Sequence, residues 1–160
     1  MDVDGVLTDG KLYYDESGKE LKSFHIQDGH AIKMLREAGI KTGLLSGRKS
    51  KAAEIRAKEL LMEECHLGIS DKVEQFEKII RKLGVKESEV AYMGDDLPDL
   101  PLLKRVGFSL SVPNAVDEVK DQVDWVTKRA GGTGAVREAV EFILSARAGQ
   151  NKAKPVGFLK

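Results

Sequence analysis

The chain has 160 residues, 41% hydrophobic and 32% charged, and its 26 basic residues balance 26 acidic ones. That is enough apolar material for one globular domain and too much for a disordered chain. Zero net charge gives no nucleic-acid or membrane footprint, no apolar run approaches the ~20 residues of a membrane span, and a single cysteine, Cys65, permits no internal disulfide, so a cytoplasmic protein is expected.

The chain opens on MDVDGVLTDG, with Asp2, Asp4 and Asp9 in an otherwise apolar stretch. Residues 11–26, KLYYDESGKELKSFHI, read as a β-hairpin turning around Glu16-Ser17-Gly18, inserted where a helix would ordinarily follow. Tyr13, Tyr14 and Phe24 put three of the nine aromatics there, and a lone hairpin is marginal in water, so it is expected to pack on something, another subunit included. A helix ends at Gly39 and leads into a strand near Ile40–Leu45. Ser50 to Leu61 is a helix capped by its serine. No element is assigned to the polar LMEECHLGIS. Asp71 to Leu83 is a helix with apolar residues at Val73, Phe76, Ile79, Ile80 and Leu83, closed by Gly84. VAYMGDD is a strand running into a turn, Leu97 to Val106 a short helix, FSLSV a strand, Val116 to Lys120 part of a helix and VDWV the last strand. A Gly-Gly-Thr-Gly loop then enters a closing helix, Thr133 to Ala146. This alternation predicts an α/β fold: a Rossmann-like three-layer sandwich with a mostly parallel sheet, a hairpin after strand 1 and no cap domain. One domain is expected over 1–148, with a flexible tail over 149–160 in which Phe158 and Leu159 form a docking point.

In open α/β sheets, ligands bind at the carboxyl ends of the strands. Four polar clusters fall there: Asp2 and Asp4 before Gly5; Ser46-Gly47-Arg48; Asp71-Lys72; and Gly94-Asp95-Asp96 with Asp99. Converging carboxylates call for a cation, and an all-oxygen set with few protein ligands suits Mg²⁺. Ser46 offers a hydroxyl, Lys72 a fixed positive charge and Arg48 a planar fork, which are phosphate and carboxylate binders. Asp2 and Asp4, two positions apart on extended chain, share a face. One can attack phosphorus while the other handles the proton.

DVDGVLTDG, SGR, Lys72 and GDDLPD, in that order, resemble the four motifs of the haloacid dehalogenase superfamily. DGHAIKMLREAGI, VGFSLSVPNA and RAGGTGAVREA extend the likeness to its capless branch over nearly the whole chain. The resemblance implies a Mg²⁺-dependent phosphatase for a small anionic sugar phosphate, working through an aspartyl-phosphate in lipopolysaccharide precursor biosynthesis. It implies Asp2 as nucleophile and metal ligand, and Asp4 as acid/base that also binds metal through its carbonyl. Asp95 completes the protein's share of the metal ligands, with Asp96 and Asp99 behind it. Ser46, Gly47, Arg48 and Lys72 form the phosphate and substrate contacts. Arg48 favours an eight-carbon acid, because phosphatases for nine-carbon keto-acid phosphates carry Glu at this place. The branch forms homotetramers through its hairpins, and a neighbouring chain helps to cover each site. Relatives also carry several apolar residues before the first aspartate, whereas only Met1 precedes Asp2 here; a recorded start that is late is the expectation. The alternatives are a nine-carbon substrate, a signalling receiver domain, whose acidic pocket is alike but differently ordered, and a non-catalytic oligomerisation module.

Overall fold

The structure, a computed structural model, describes residues 1–150. The hairpin is β1 (Tyr13–Tyr14) and β2 (Glu20–Leu21), antiparallel, with Tyr13 opposite Leu21. Asp15 makes its turn: one carboxylate oxygen accepts from the amides of Ser17 and Lys19, each at 2.9 Å, and from the Ser17 hydroxyl at 2.6 Å. Next come α1 (Ile26–Glu37), β3 (Gly43–Ser46), α2 (Lys51–Glu59), β4 (Glu64–Leu67), α3 (Lys72–Leu83) and β5 (Ala91–Met93). A 3₁₀ turn over Leu97–Asp99 runs into α4 (Leu100–Leu103), followed by β6 (Phe108–Ser111), α5 (Asp117–Lys120), β7 (Trp125–Val126) and α6 (Ala135–Gln150). The predicted caps are in place. Ser50 Oγ accepts from the Ala53 amide at 3.2 Å, Asp71 Oδ1 from the Glu74 amide at 2.9 Å, and Gly84 takes the left-handed conformation that ends α3.

All strand pairs outside the hairpin are parallel: β3 with β4, β5 with β6, and β6 with β7. The two groups are joined by the backbone of Met1 and Asp2. The Leu45 amide donates to Met1 O at 3.0 Å and the Asp2 amide to Met93 O at 2.9 Å. Asp2 thereby leaves the middle of the sheet, between β3 and β5. Leu44, Leu102, Leu110 and Val112 are among the fully buried side chains around it, each contributing about 1.5–3 kcal/mol of burial. α1 presents Ala31, Ile32 and Leu35 on one face and packs on α6, which answers with Val136, Ala139 and Val140. α3 packs on α4. Helices flank the sheet as the three-layer expectation requires, and between the opening motif and β3 stand only the hairpin and α1.

Three segments differ from the expectation. LMEECHLGIS contains β4, whose buried Glu64 is tied to Lys82 of α3 at 2.6 Å and to His66 at 2.8 Å; the strand is polar because its polar groups are paired. The helix predicted over 97–106 is broken into a 3₁₀ turn and a single α-turn, with Pro98 and Pro101 removing amide donors. α6 runs through Gly149 and Gln150, which had been assigned to the tail. The rest of that tail, with Phe158 and Leu159, lies outside the described residues. No helix among the described residues is long and apolar enough to cross a membrane.

Candidate active site

Beyond Asp2 the chain coils back on itself: the amides of Leu7 and Thr8 both return to Val3 O, at 2.9 and 3.1 Å. Val3, Val6 and Leu7 are buried and anchor this turn. Gly5 lies in it at φ +83°, and a Cβ there would stand 1.9 Å from Asp95 Oδ2. Asn114, after β6, holds the turn from the other side. Its Nδ2 donates to Gly5 O at 2.9 Å while its Oδ1 accepts from the Gly131 amide at 2.7 Å. The Gly-Gly-Thr-Gly loop therefore lies directly on the opening motif, and the Gly132 amide donates to Val6 O at 3.0 Å.

Buried charges converge inside this frame. Asp2 Oδ1 accepts from the Val3 amide at 2.7 Å, and Oδ2 lies 3.0 Å from Lys72 Nζ. Lys72, the first residue of α3, also reaches Asp99 Oδ1 at 2.7 Å. Asp99 is fully buried and saturated: the Tyr92 hydroxyl donates to Oδ1 at 2.7 Å, and the amides of Asp95 and Asp96 donate to Oδ2 at 3.2 and 3.3 Å. Asp2, Asp95 and Asp99 each bring a carboxylate oxygen within 4.8 Å of the others. Asp95 Oδ1 is buried without a hydrogen-bond partner among the described residues. Burial, then the charges of Asp2 and Asp99, push the Asp95 carboxyl up to about 7. Burial and Asp99 raise Asp2 too, against the pull of Lys72. Burial opposes the Lys72 charge, but Asp2 and Asp99 outweigh it and hold its pKa above the usual lysine value. An oxygen-only donor set, crowded with like charge and keeping a bare buried oxygen, fits a hard divalent cation such as Mg²⁺.

The remaining residues singled out from the sequence take distinct places. Ser46 is buried at the carboxyl end of β3, and its Oγ accepts from the Arg48 amide at 3.4 Å. A Cβ on Gly47 would meet only Ile69 O, at 3.8 Å, so that turn is open. Asp4, two residues after Asp2, pairs with Lys22 through Oδ1 and with Arg48 Nε, 3.7 Å from Oδ2. Asp96 is exposed and caps the 3₁₀ turn, accepting from the Leu97 amide at 2.8 Å. Asp9 turns the chain into the hairpin, accepting from the Lys11 amide at 3.1 Å and the Tyr13 hydroxyl at 2.6 Å. Sequence reading passed over Lys22, Glu20, Tyr92 and Asn114. Glu20 and Lys22 share one face of the hairpin by strand alternation, which was the available signal for that pair.

The fold and this site define a class. The family model of haloacid dehalogenase-like hydrolases matches residues 66–139. The chain is 39% identical over 154 residues to the 3-deoxy-D-manno-octulosonate 8-phosphate phosphatase of Escherichia coli K12, covering 96% of this chain and 82% of that one. The chain belongs to the haloacid dehalogenase-like hydrolases. Among solved structures it is similar to the phosphatase of that name from Moraxella catarrhalis, in complex with magnesium ion, phosphate ion and KDO. The TM-score is 0.89 at 42% identity, covering 91% of this chain and 84% of that one. The cobalt-bound deoxy-D-mannose-octulosonate 8-phosphate phosphatase of Haemophilus influenzae matches with a TM-score of 0.88 at 43% identity, covering 92% and 86%. Membership in a hydrolase family sets the receiver-domain alternative aside.

Proposed function

We propose that this chain is a Mg²⁺-dependent phosphatase that hydrolyses 3-deoxy-D-manno-octulosonate 8-phosphate to the free sugar acid and phosphate, supplying lipopolysaccharide precursor synthesis. The observation that carries the proposal is the convergence of Asp2, Lys72 and Asp95 where Asp2 leaves the sheet between β3 and β5, in a chain 39–43% identical to phosphatases of that name. Asp2, Asp95 and the Asp4 carbonyl would hold Mg²⁺, which supplies charge to neutralise the phosphoryl oxygens. Asp99 is spent on Lys72, Tyr92 and two amides, so it acts as an anchor for Lys72 and the Asp95 loop. Lys72 and Ser46 orient the phosphoryl group for in-line attack by an Asp2 oxygen. Asp4 gives its proton to the departing sugar oxygen, then takes one from the water that cleaves the aspartyl-phosphate. Arg48, half-exposed and paired with Glu20 and Asp4, would bind the sugar's carboxylate with the donors of its guanidinium that they leave. Cytoplasmic placement accords with the unpaired Cys65.

Phosphate release from the eight-carbon ester should require Mg²⁺ and stop with EDTA. Arg48→Ala should lower kcat/KM for that ester about 10- to 100-fold, the worth of a charge-assisted hydrogen bond. A nine-carbon keto-acid phosphate hydrolysed faster than the eight-carbon ester by the unaltered protein would overturn the substrate assignment.

The crowded carboxylates also make stability depend on pH. Asp95 has a folded pKa near 7 against an ordinary 3.8, so between those values the metal-free folded state holds a proton that the unfolded chain has released. Stability of the metal-free protein should therefore fall as pH rises through that window, with Asp2 contributing in the same direction. Mg²⁺ competes with the same proton. Melting curves should show a small Mg²⁺-induced gain in Tm at about pH 5 and a large one at about pH 8. Equal gains at both would refute it.

We also infer a homotetramer assembled through the hairpin, on which Leu12, Tyr13, Tyr14 and Leu21 are exposed, with Ile26 exposed at the start of α1. Sedimentation equilibrium should return four chains, and Tyr14→Glu should dissociate them. A monomer at all concentrations would count against it.

A further inference from the structure

The hairpin carries a cation that the chemistry above leaves unused. Lys22 follows β2, yet its side chain is only 2% exposed, unusual for a lysine. Its Nζ donates to Asp4 Oδ1 and lies 2.9 Å from Glu20 Oε1. Glu20 in turn accepts from the Arg48 guanidinium through Oε2, and Arg48 Nε faces Asp4 Oδ2 at 3.7 Å. Two carboxylates and two cations from the opening turn, the hairpin and the loop after β3 thus close into a ring. Its effect on Asp4 is asymmetric. Oδ1 is held by a hydrogen bond, whereas Oδ2 is buried and has no hydrogen-bond partner among the described residues.

A carboxyl that moves a proton needs its orientation fixed and one oxygen free. We propose that Lys22 is a positioning residue for the proton transfer by Asp4: the hairpin ammonium holds Oδ1 and leaves Oδ2 to serve the departing oxygen of the ester. This rests on the phosphatase reading. In the first step an Asp2 oxygen bonds to phosphorus, the bond from phosphorus to the ester oxygen breaks, and that oxygen leaves as the alcohol with the proton from Asp4. Glu20 keeps Lys22 and Arg48 apart and in place. The insertion of a hairpin right after the opening motif has a purpose beyond assembly, because it brings an ammonium onto Asp4.

The test compares leaving groups. A sugar alkoxide needs a proton to depart, whereas p-nitrophenolate does not, and kcat/KM reports the steps up to its departure. Lys22→Met should lower kcat/KM about 100-fold on the sugar phosphate but only about threefold on p-nitrophenyl phosphate. Lys22→Arg should recover most of the loss. Adding Lys22→Met to Asp4→Asn should cost less than about threefold further on the sugar phosphate, because both act on one proton. Equal loss on both esters, no loss on either, or full additivity with Asp4→Asn would overturn the positioning role while leaving the phosphatase reading intact. Failure of the unaltered protein to hydrolyse either ester would remove the phosphatase reading itself.

Discussion

Asp2→Asn protein should fold and release phosphate at least ~10⁴-fold more slowly, a loss within the roughly 10⁶-fold or greater acceleration typical of enzymes. The amide keeps the shape of the carboxylate and can still accept the Val3 amide proton, which Asp2 Oδ1 now does at 2.7 Å. What it lacks is a nucleophilic oxygen and the charge facing Lys72 at 3.0 Å. Lys72 retains Asp99 at 2.7 Å, so the substitution does not strand a buried cation. The consequence for stability runs opposite to that for activity. Burial and Asp99 raise the Asp2 pKa, which means that the folded protein tolerates the charged form poorly. Removing that charge should leave the metal-free Tm unchanged or higher, by the ~0.5–2 kcal/mol common where a function-bearing strain is relieved. Phosphate release assays and melting curves on the same preparation read both. Turnover within tenfold of the unaltered protein would exclude Asp2 as the nucleophile.

How far the sequence alone reaches is visible in particular residues. The helix at 72–83 was legible because cap, apolar period and closing glycine all agreed, and the helix at 51–59 from its capping serine; those signals are local. β4 was not, because its buried Glu64 is explained by Lys82 near the far end of the following helix, which no local pattern links to it. The join across the sheet rests on backbone hydrogen bonds of Met1 and Asp2, which carry no side-chain period. In the site, the aspartates stood out because carboxylates beside glycine at strand ends are unusual, and Lys72 through its place in the ordered resemblance. Asp96 and Asp99 looked alike in GDDLPD, yet one caps a turn in solvent and the other is fully buried under Lys72. Lys22 was hidden by its type: a lysine in a hairpin reads as surface until the fold shows Asp4 next to it.

Gly5→Ala, which adds only one methyl group, should remove most activity. Two effects act there and can be separated. At φ +83° any L side chain is strained by about 1–2 kcal/mol. In addition, the new Cβ would stand 1.9 Å from Asp95 Oδ2 and 2.4 Å from its carboxyl carbon, so the carboxylate has to leave its position. Asp95 is proposed to give the metal a ligand, and moving it by more than an ångström should cost roughly 10²-fold or more in rate. Gly18 supplies the control. It has a similar φ of +79° in the hairpin turn, but nothing lies within 4 Å of its added Cβ. Gly18→Ala should therefore lower Tm with little change in turnover or in the Mg²⁺-induced gain in Tm. Gly5→Ala should lower Tm in metal-free protein comparably, abolish the Mg²⁺-induced gain and remove most activity. If both variants behaved alike, backbone strain alone would account for Gly5, and the close approach to Asp95 would have no functional weight.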